Sequence, residues 1–141
     1  MNSLDKAIAQ WKAKGVNFRP GLAADHIVAR LVALGRNQSA EVVTLFGSVN
    51  GMDSGKGDER MFSLWSLDQA AAESPRFAAA YLPFADFLIE SCVFLLKRES
   101  ADVSSVWIQY EGTDETRQVA ADLSEFFELL VSAPARLEIV L

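Results

Sequence analysis

Residues 84–97, Phe84-Ala85-Asp86-Phe87-Leu88-Ile89-Glu90-Ser91-Cys92-Val93-Phe94-Leu95-Leu96-Lys97, are the most apolar run in the chain and constrain its fold more than any other stretch. A bilayer-spanning helix needs roughly 20 uninterrupted apolar residues. Here Asp86, Glu90 and the Ser91-Cys92 step break the run. Divided near Glu90-Ser91, it gives two strands of about five to seven residues rich in Phe, Ile, Val and Leu, the centre of a sheet. A buried helix is the competing reading, because periodicity does not separate the two in short apolar runs. In the first strand Ala85, Phe87 and Ile89 share one face, while Asp86, Leu88 and Glu90 share the other. Two carboxylates at i and i+4 of a strand lie about 13 Å apart at ~3.3 Å per residue, too far for either geometry of glycoside hydrolysis. Asp86 and Glu90 are therefore read as facing solvent or a partner.

Around this centre the chain reads as helices, then a meander of strands, then a helix. Leu4, Ile8 and Trp11 recur at helical spacing over residues 3–14. Gly15 closes that helix, and Phe18-Arg19-Pro20-Gly21 reads as a connector. Leu22, Ile27, Leu31 and Leu34 mark a second helix ended by Gly35. A third, capped by Asn37 or Ser39, carries Val42, Leu45, Phe46 and Val49 and stops at Asn50-Gly51. Asn37-Gln38-Ser39 matches a glycosylation sequon by chance. Strands follow at 61–67, 105–110 and 117–121, with one or two helical turns at 68–72 ahead of Pro75. Asp122 and Glu125 form a variant capping box that opens a final helix carrying Leu123, Phe126, Phe127, Leu130 and Val131. Residues 136–141 alternate as a strand would, or form a tail along the core. The expectation is one α+β domain over 1–141, with 1–20 as an N-terminal helix and connector, a mostly antiparallel central sheet, and a C-terminal helix packed on it.

Chemistry-bearing residues are sparse. The chain has one histidine, His26, and one cysteine, Cys92, so no intrachain disulfide forms and no nucleophile–base pair is recognisable. We expect no catalytic residue, no metal site and no cofactor. The loop Gly51-Met52-Asp53-Ser54-Gly55-Lys56-Gly57-Asp58-Glu59-Arg60 invites a phosphate-loop reading, but it is one residue short and has Gly57 where a Ser or Thr would hold magnesium. Its acidic residues also lack the alternation of a calcium loop. It reads as an exposed charged loop of the kind that meets partners. Trp65, Tyr81 and Trp107 could line a small-ligand pocket, with core or core rim as the alternative.

Net charge is −6 and unevenly placed. Residues 1–47 carry Lys6, Lys12, Lys14, Arg19, Arg30 and Arg36 against Asp5, Asp25 and Glu41, whereas 99–141 carry nine acidic groups against Arg117 and Arg136. That balance disfavours nucleic acid, whose binding needs phosphates neutralised, and suits a basic protein. A solvated surface that maintains solubility is the plainer alternative. With no secretory signal or membrane span in view, a cytoplasmic protein without membrane contact is expected.

Helices ending in Val49-Asn50-Gly51-Met52, then Leu64-Trp65-Ser66-Leu67-Asp68, then Phe84-Ala85-Asp86, then Ala120-Ala121-Asp122-Leu123-Ser124-Glu125-Phe126-Phe127, resemble in that order the SUKH superfamily, over about residues 22–134. That group includes fungal cell-wall assembly regulators of the Smi/Knr type and bacterial toxin-immunity proteins. Two departures mark a divergent member: Gln38-Ser39-Ala40 stands where many members have Leu-Pro, and no glycine lies between Gly57 and Gly112, where many have a glycine-rich turn. The resemblance implies a non-enzymatic domain that binds another protein, in bacteria usually a toxin of the nuclease or deaminase class. A regulatory or scaffold module with no toxin partner is the alternative. The surface expected to meet a basic partner is Asp53, Asp58 and Glu59 with Asp86, Glu90, Asp114 and Glu115.

Overall fold

The computed structural model describes residues 2–36, 39–53 and 57–139. Helix α1 (Ser3–Ala13) starts where the Asn2 side chain accepts the Asp5 N–H at 2.9 Å, and it buries Leu4, Ala7 and Trp11. Helix α2 (Ala24–Leu34) stops at Gly35, which adopts the left-handed conformation expected there. Helix α3 (Ala40–Ser48) begins at Ser39; Asn37 and Gln38, the other expected cap and the sequon, lie outside the described residues.

Two expectations are corrected here. The supposed connector contains strand β1 (Phe18–Pro20), and the third helix ends before Val49, because Val49–Met52 form strand β2 antiparallel to β1. Gly51 does take a left-handed backbone, with φ of 80°, but inside this strand. A Cβ there would lie 2.4 Å from the Ser66 nitrogen, so the position needs glycine for close backbone approach as well as for φ. The neighbouring Asn50 side-chain Oδ1 accepts the Leu67 N–H at 2.8 Å, seating the next helix against β2.

Strand β3 (Phe62–Leu64) is shorter than the expected 61–67, since Ser66 leaves the sheet to cap helix α4 (Leu67–Glu73), accepting the Gln69 N–H at 3.1 Å. A 3-10 turn at Ser74–Arg76 carries Pro75. The apolar run then forms β4 (Tyr81–Phe87) and β5 (Cys92–Arg98), joined by a turn at 88–91, and the chain continues through β6 (Ser104–Tyr110) and β7 (Thr116–Ala120). These five strands make one antiparallel meander in the order β3-β4-β5-β6-β7. Helix α5 (Leu123–Ser132) packs against α1 and the β6–β7 end. Its capping box forms with a shift: Asp122 accepts the Glu125 N–H at 2.7 Å, but Glu125 reaches back to the Ala121 N–H at 3.1 Å. After a second 3-10 turn (Pro134–Leu137), Leu137 and Ile139 are buried, so the last described residues are a tail along the core. The architecture is α+β, as expected.

One sheet face meets α1, α3 and α5 in an aromatic core. Phe126 is its hub, with ring centroids 5.4 Å from Phe84, 5.2 Å from Phe94 and 5.2 Å from Phe127. Trp11 stacks on Phe62 at 5.8 Å, fixing α1 to β3. Burying each such side chain contributes roughly 1.5–3 kcal/mol. A smaller cluster on the opposite face, Trp65, Phe77, Val93 and Leu95 with Tyr81 and Trp107 beside it, covers part of what the alternation pattern left to solvent.

Candidate functional site

Of the seven carboxylates expected at the surface, the structure puts two inside. The Asp58 side chain is 4% exposed. It accepts hydrogen bonds from Trp11 Nε1 at 2.9 Å, from the Arg60 guanidinium, and from the backbone N–H groups of Arg60 and Phe62. Arg60 also donates to the Leu130 carbonyl at 3.0 Å, so this carboxylate joins α1, β3 and α5 and is unavailable to a partner. Asp86 is buried beside the second aromatic cluster and accepts from Trp65 Nε1 at 2.8 Å. Burial pushes its carboxyl above the ordinary aspartate range, the Trp65 N–H opposes that, and the Glu90 carboxylate adds to the rise. The solvent-facing reading of both aspartates is corrected.

The other five reach solvent in two places, Glu90 only in part. Asp53 pairs with Arg19 at 3.8 Å and Glu59 with Lys14 at 2.5 Å, both on the α1–β1 side. Ser54, Gly55 and Lys56 of that loop lie outside the described residues. Glu90 sits in the β4–β5 turn, and Asp114 and Glu115 sit in the β6–β7 turn. These two turns are at the same end of the sheet, since Cys92 pairs with Tyr110 and the Glu111 N–H donates to the Ser91 carbonyl at 3.0 Å.

That end also carries apolar side chains the alternation pattern assigned elsewhere. Leu88 and Ile89 lie in the turn, not in the strand, and they are 41% and 70% exposed. Met61, whose carbonyl accepts the Leu88 N–H at 3.0 Å, and Tyr110 are partly exposed beside them. Among the described residues the remaining exposed large hydrophobics are Val28 and Val32 on α2. Scattered single apolar residues need no explanation, but four gathered at one end of a sheet do. The backbone is unusual too: Leu88, Ile89 and Glu90 have φ of 54°, 51° and 65°, a left-handed conformation that costs a branched L-residue roughly 1–2 kcal/mol.

The turn is nevertheless held firmly. Ser91 donates from its N–H and its Oγ to the Leu88 carbonyl, and Glu90 pairs with Arg76 at 2.7 Å, which Glu73 also engages. Tyr110 donates to Glu138 at 2.5 Å, and Glu138 also pairs with Arg117. Glu111, Asp114 and Glu115 form no ion pair with another described residue. The sheet end is therefore an apolar tip with an acidic border.

Other places are less open to a partner. Trp65 is buried, Tyr81 and Trp107 meet edge-to-face at 5.9 Å, and the Lys97 ammonium lies 5.4 Å over Trp107, so these aromatics are core and core rim. A groove of about 240 Å³ near Leu4, Leu123 and Phe127 includes Glu41, whose carboxylate is already bonded to the Ser104 and Leu123 N–H groups. His26 is exposed on α2, and the Cys92 thiol is buried, which raises its pKa to about 11. Among the described residues no three His, Cys, Asp or Glu side chains gather as metal ligands, and no helix is long and apolar enough to cross a membrane. No protein-family model and no curated protein matches the chain.

Proposed function

We propose that this chain is a non-catalytic protein-binding domain of the SUKH kind, and that it serves as an immunity protein that neutralises a basic toxin of the nuclease or deaminase class by direct binding. The observation that carries the reading is the sheet end, where Leu88, Ile89, Met61 and Tyr110 are exposed together beside the unpaired carboxylates of Glu111, Asp114 and Glu115. An apolar centre with a charged border is the usual anatomy of a protein interface. The acidic border would steer a cationic partner and speed its encounter. The order of short motifs that resembles the SUKH superfamily supports the same class of function.

The test uses a nuclease or deaminase toxin domain encoded beside this chain's gene. Titration calorimetry of the purified pair should give 1:1 binding, association should slow as salt is raised, and co-expression should restore growth to cells making the toxin domain. A pair that neither binds nor protects removes the reading.

A further inference from the structure

We infer that Ile89 is the anchor of the interface and that the partner receives it in an apolar socket bordered by lysine or arginine side chains; this rests on the protein-binding reading above. Folding makes no visible use of an isoleucine here. The side chain is 70% exposed, and its backbone lies where glycine or asparagine would sit without penalty. The turn's fixity comes from other groups: the Ser91 bonds to the Leu88 carbonyl, the Leu88 N–H to the Met61 carbonyl, and the Arg76 bridge to Glu90 and Glu73. A large apolar side chain carried on a turn fixed before contact costs little backbone freedom on binding, which is what an anchor residue requires. Leu88 and Tyr110 beside it are about two-fifths exposed and can close around the socket's rim. The carboxylates of Glu111, Asp114 and Glu115 follow in the adjoining strand end and turn. Their charge selects the socket's border: a cationic rim is attracted, and an acidic one is repelled.

The experiment compares Ile89→Gly, Ile89→Asp and, as a control on a distant exposed apolar residue, Val32→Asp, in binding to the same toxin domain and in thermal unfolding. Ile89→Gly should raise the unfolding midpoint by about 2 °C through relief of the left-handed residue while weakening binding by about thirtyfold. Ile89→Asp should weaken it by at least as much, and Val32→Asp should leave it unchanged. If the parent chain binds and Ile89→Asp binds equally well, the anchor is refuted while the protein-binding reading stands. If Val32→Asp is the damaging change, the interface lies on α2 and the socket proposal falls. If the parent chain does not bind, the toxin reading fails and the inference fails with it. Sedimentation of the chain alone provides the last arm: a dimer abolished by Ile89→Asp would show the tip occupied by a second copy, against a basic socket.

Discussion

Asp58 and Asp86 each accept an indole N–H, from Trp11 and Trp65 respectively, yet their surroundings differ in what else reaches the carboxylate. Asp58 has a guanidinium and two backbone N–H groups besides the indole, so its charge is countered and its lone pairs are occupied. Asp86 has burial and the nearby Glu90 carboxylate working against ionisation, with the indole as the main opposing influence. The same residue type with the same aromatic donor is a structural tie in one corner and an electrostatic burden on the other sheet face. Counter-charge decides between them, not burial alone.

The comparison can be broken most sharply at Asp58. Asp58→Ala strands the part-buried Arg60 and the Trp11 N–H, and should lower stability by about 3 kcal/mol or more in chemical denaturation; a loss below about 1 kcal/mol would show the tie to be idle. Exchanging the indoles comes next. Trp11→Phe leaves Asp58 its guanidinium and backbone donors, whereas Trp65→Phe removes the side-chain donor of Asp86, so pH dependence of stability should steepen in the second variant alone.

Asp86→Asn should have a smaller effect, of opposite sign to Asp58→Ala. The Asp86 carboxyl titrates higher in the folded chain than its ordinary value of 3.8, so between those two values the folded state holds more protons than the unfolded one. Stability therefore falls as pH rises through that window, is fully present below it, and is lost above it, where the buried carboxylate is ionised. An amide that keeps an acceptor for Trp65 should be within about 1 kcal/mol of the parent, more stable at neutral pH and no more stable in acid; equal destabilisation at all pH values would contradict this. The smallest effect concerns Cys92, which lies near Asp86 and is held protonated at neutral pH by burial. It should resist thiol reagents until the chain unfolds, and labelling of the native protein at the rate of a free thiol would place it at the surface.

Much of the fold could be read from periodicity because its signals are local. The α5 box at Asp122 and Glu125, the Gly35 stop and the division of the apolar run near Glu90 each depend on residues within a few positions of one another. Strand β1 was not legible, since Phe18–Pro20 is three residues long, contains a proline, and is a strand because Val49–Met52 pairs with it from far along the chain. The candidate site was legible only in part. Alternation placed Asp86 correctly on the face away from Ala85 and Phe87, but it could not foresee Trp65 and Phe77 covering that face. Leu88 and Ile89 look like core in sequence, because nothing local shows that the strand ends at Phe87 and that the chain turns left-handed there.

Glu41 has a consequence for how the molecule can be divided. From α3 its carboxylate takes the Ser104 N–H at the start of β6 at 2.8 Å and the Leu123 N–H at the start of α5 at 3.2 Å. The meander and its last helix thus borrow a cap from the amino-terminal third. A recombinant fragment lacking residues 2–53 would keep every ladder bond within the five strands while leaving the Ser104 and Leu123 amide donors bare, together with that of Leu67, which Asn50 serves, and it should recover order when the missing piece is supplied in trans.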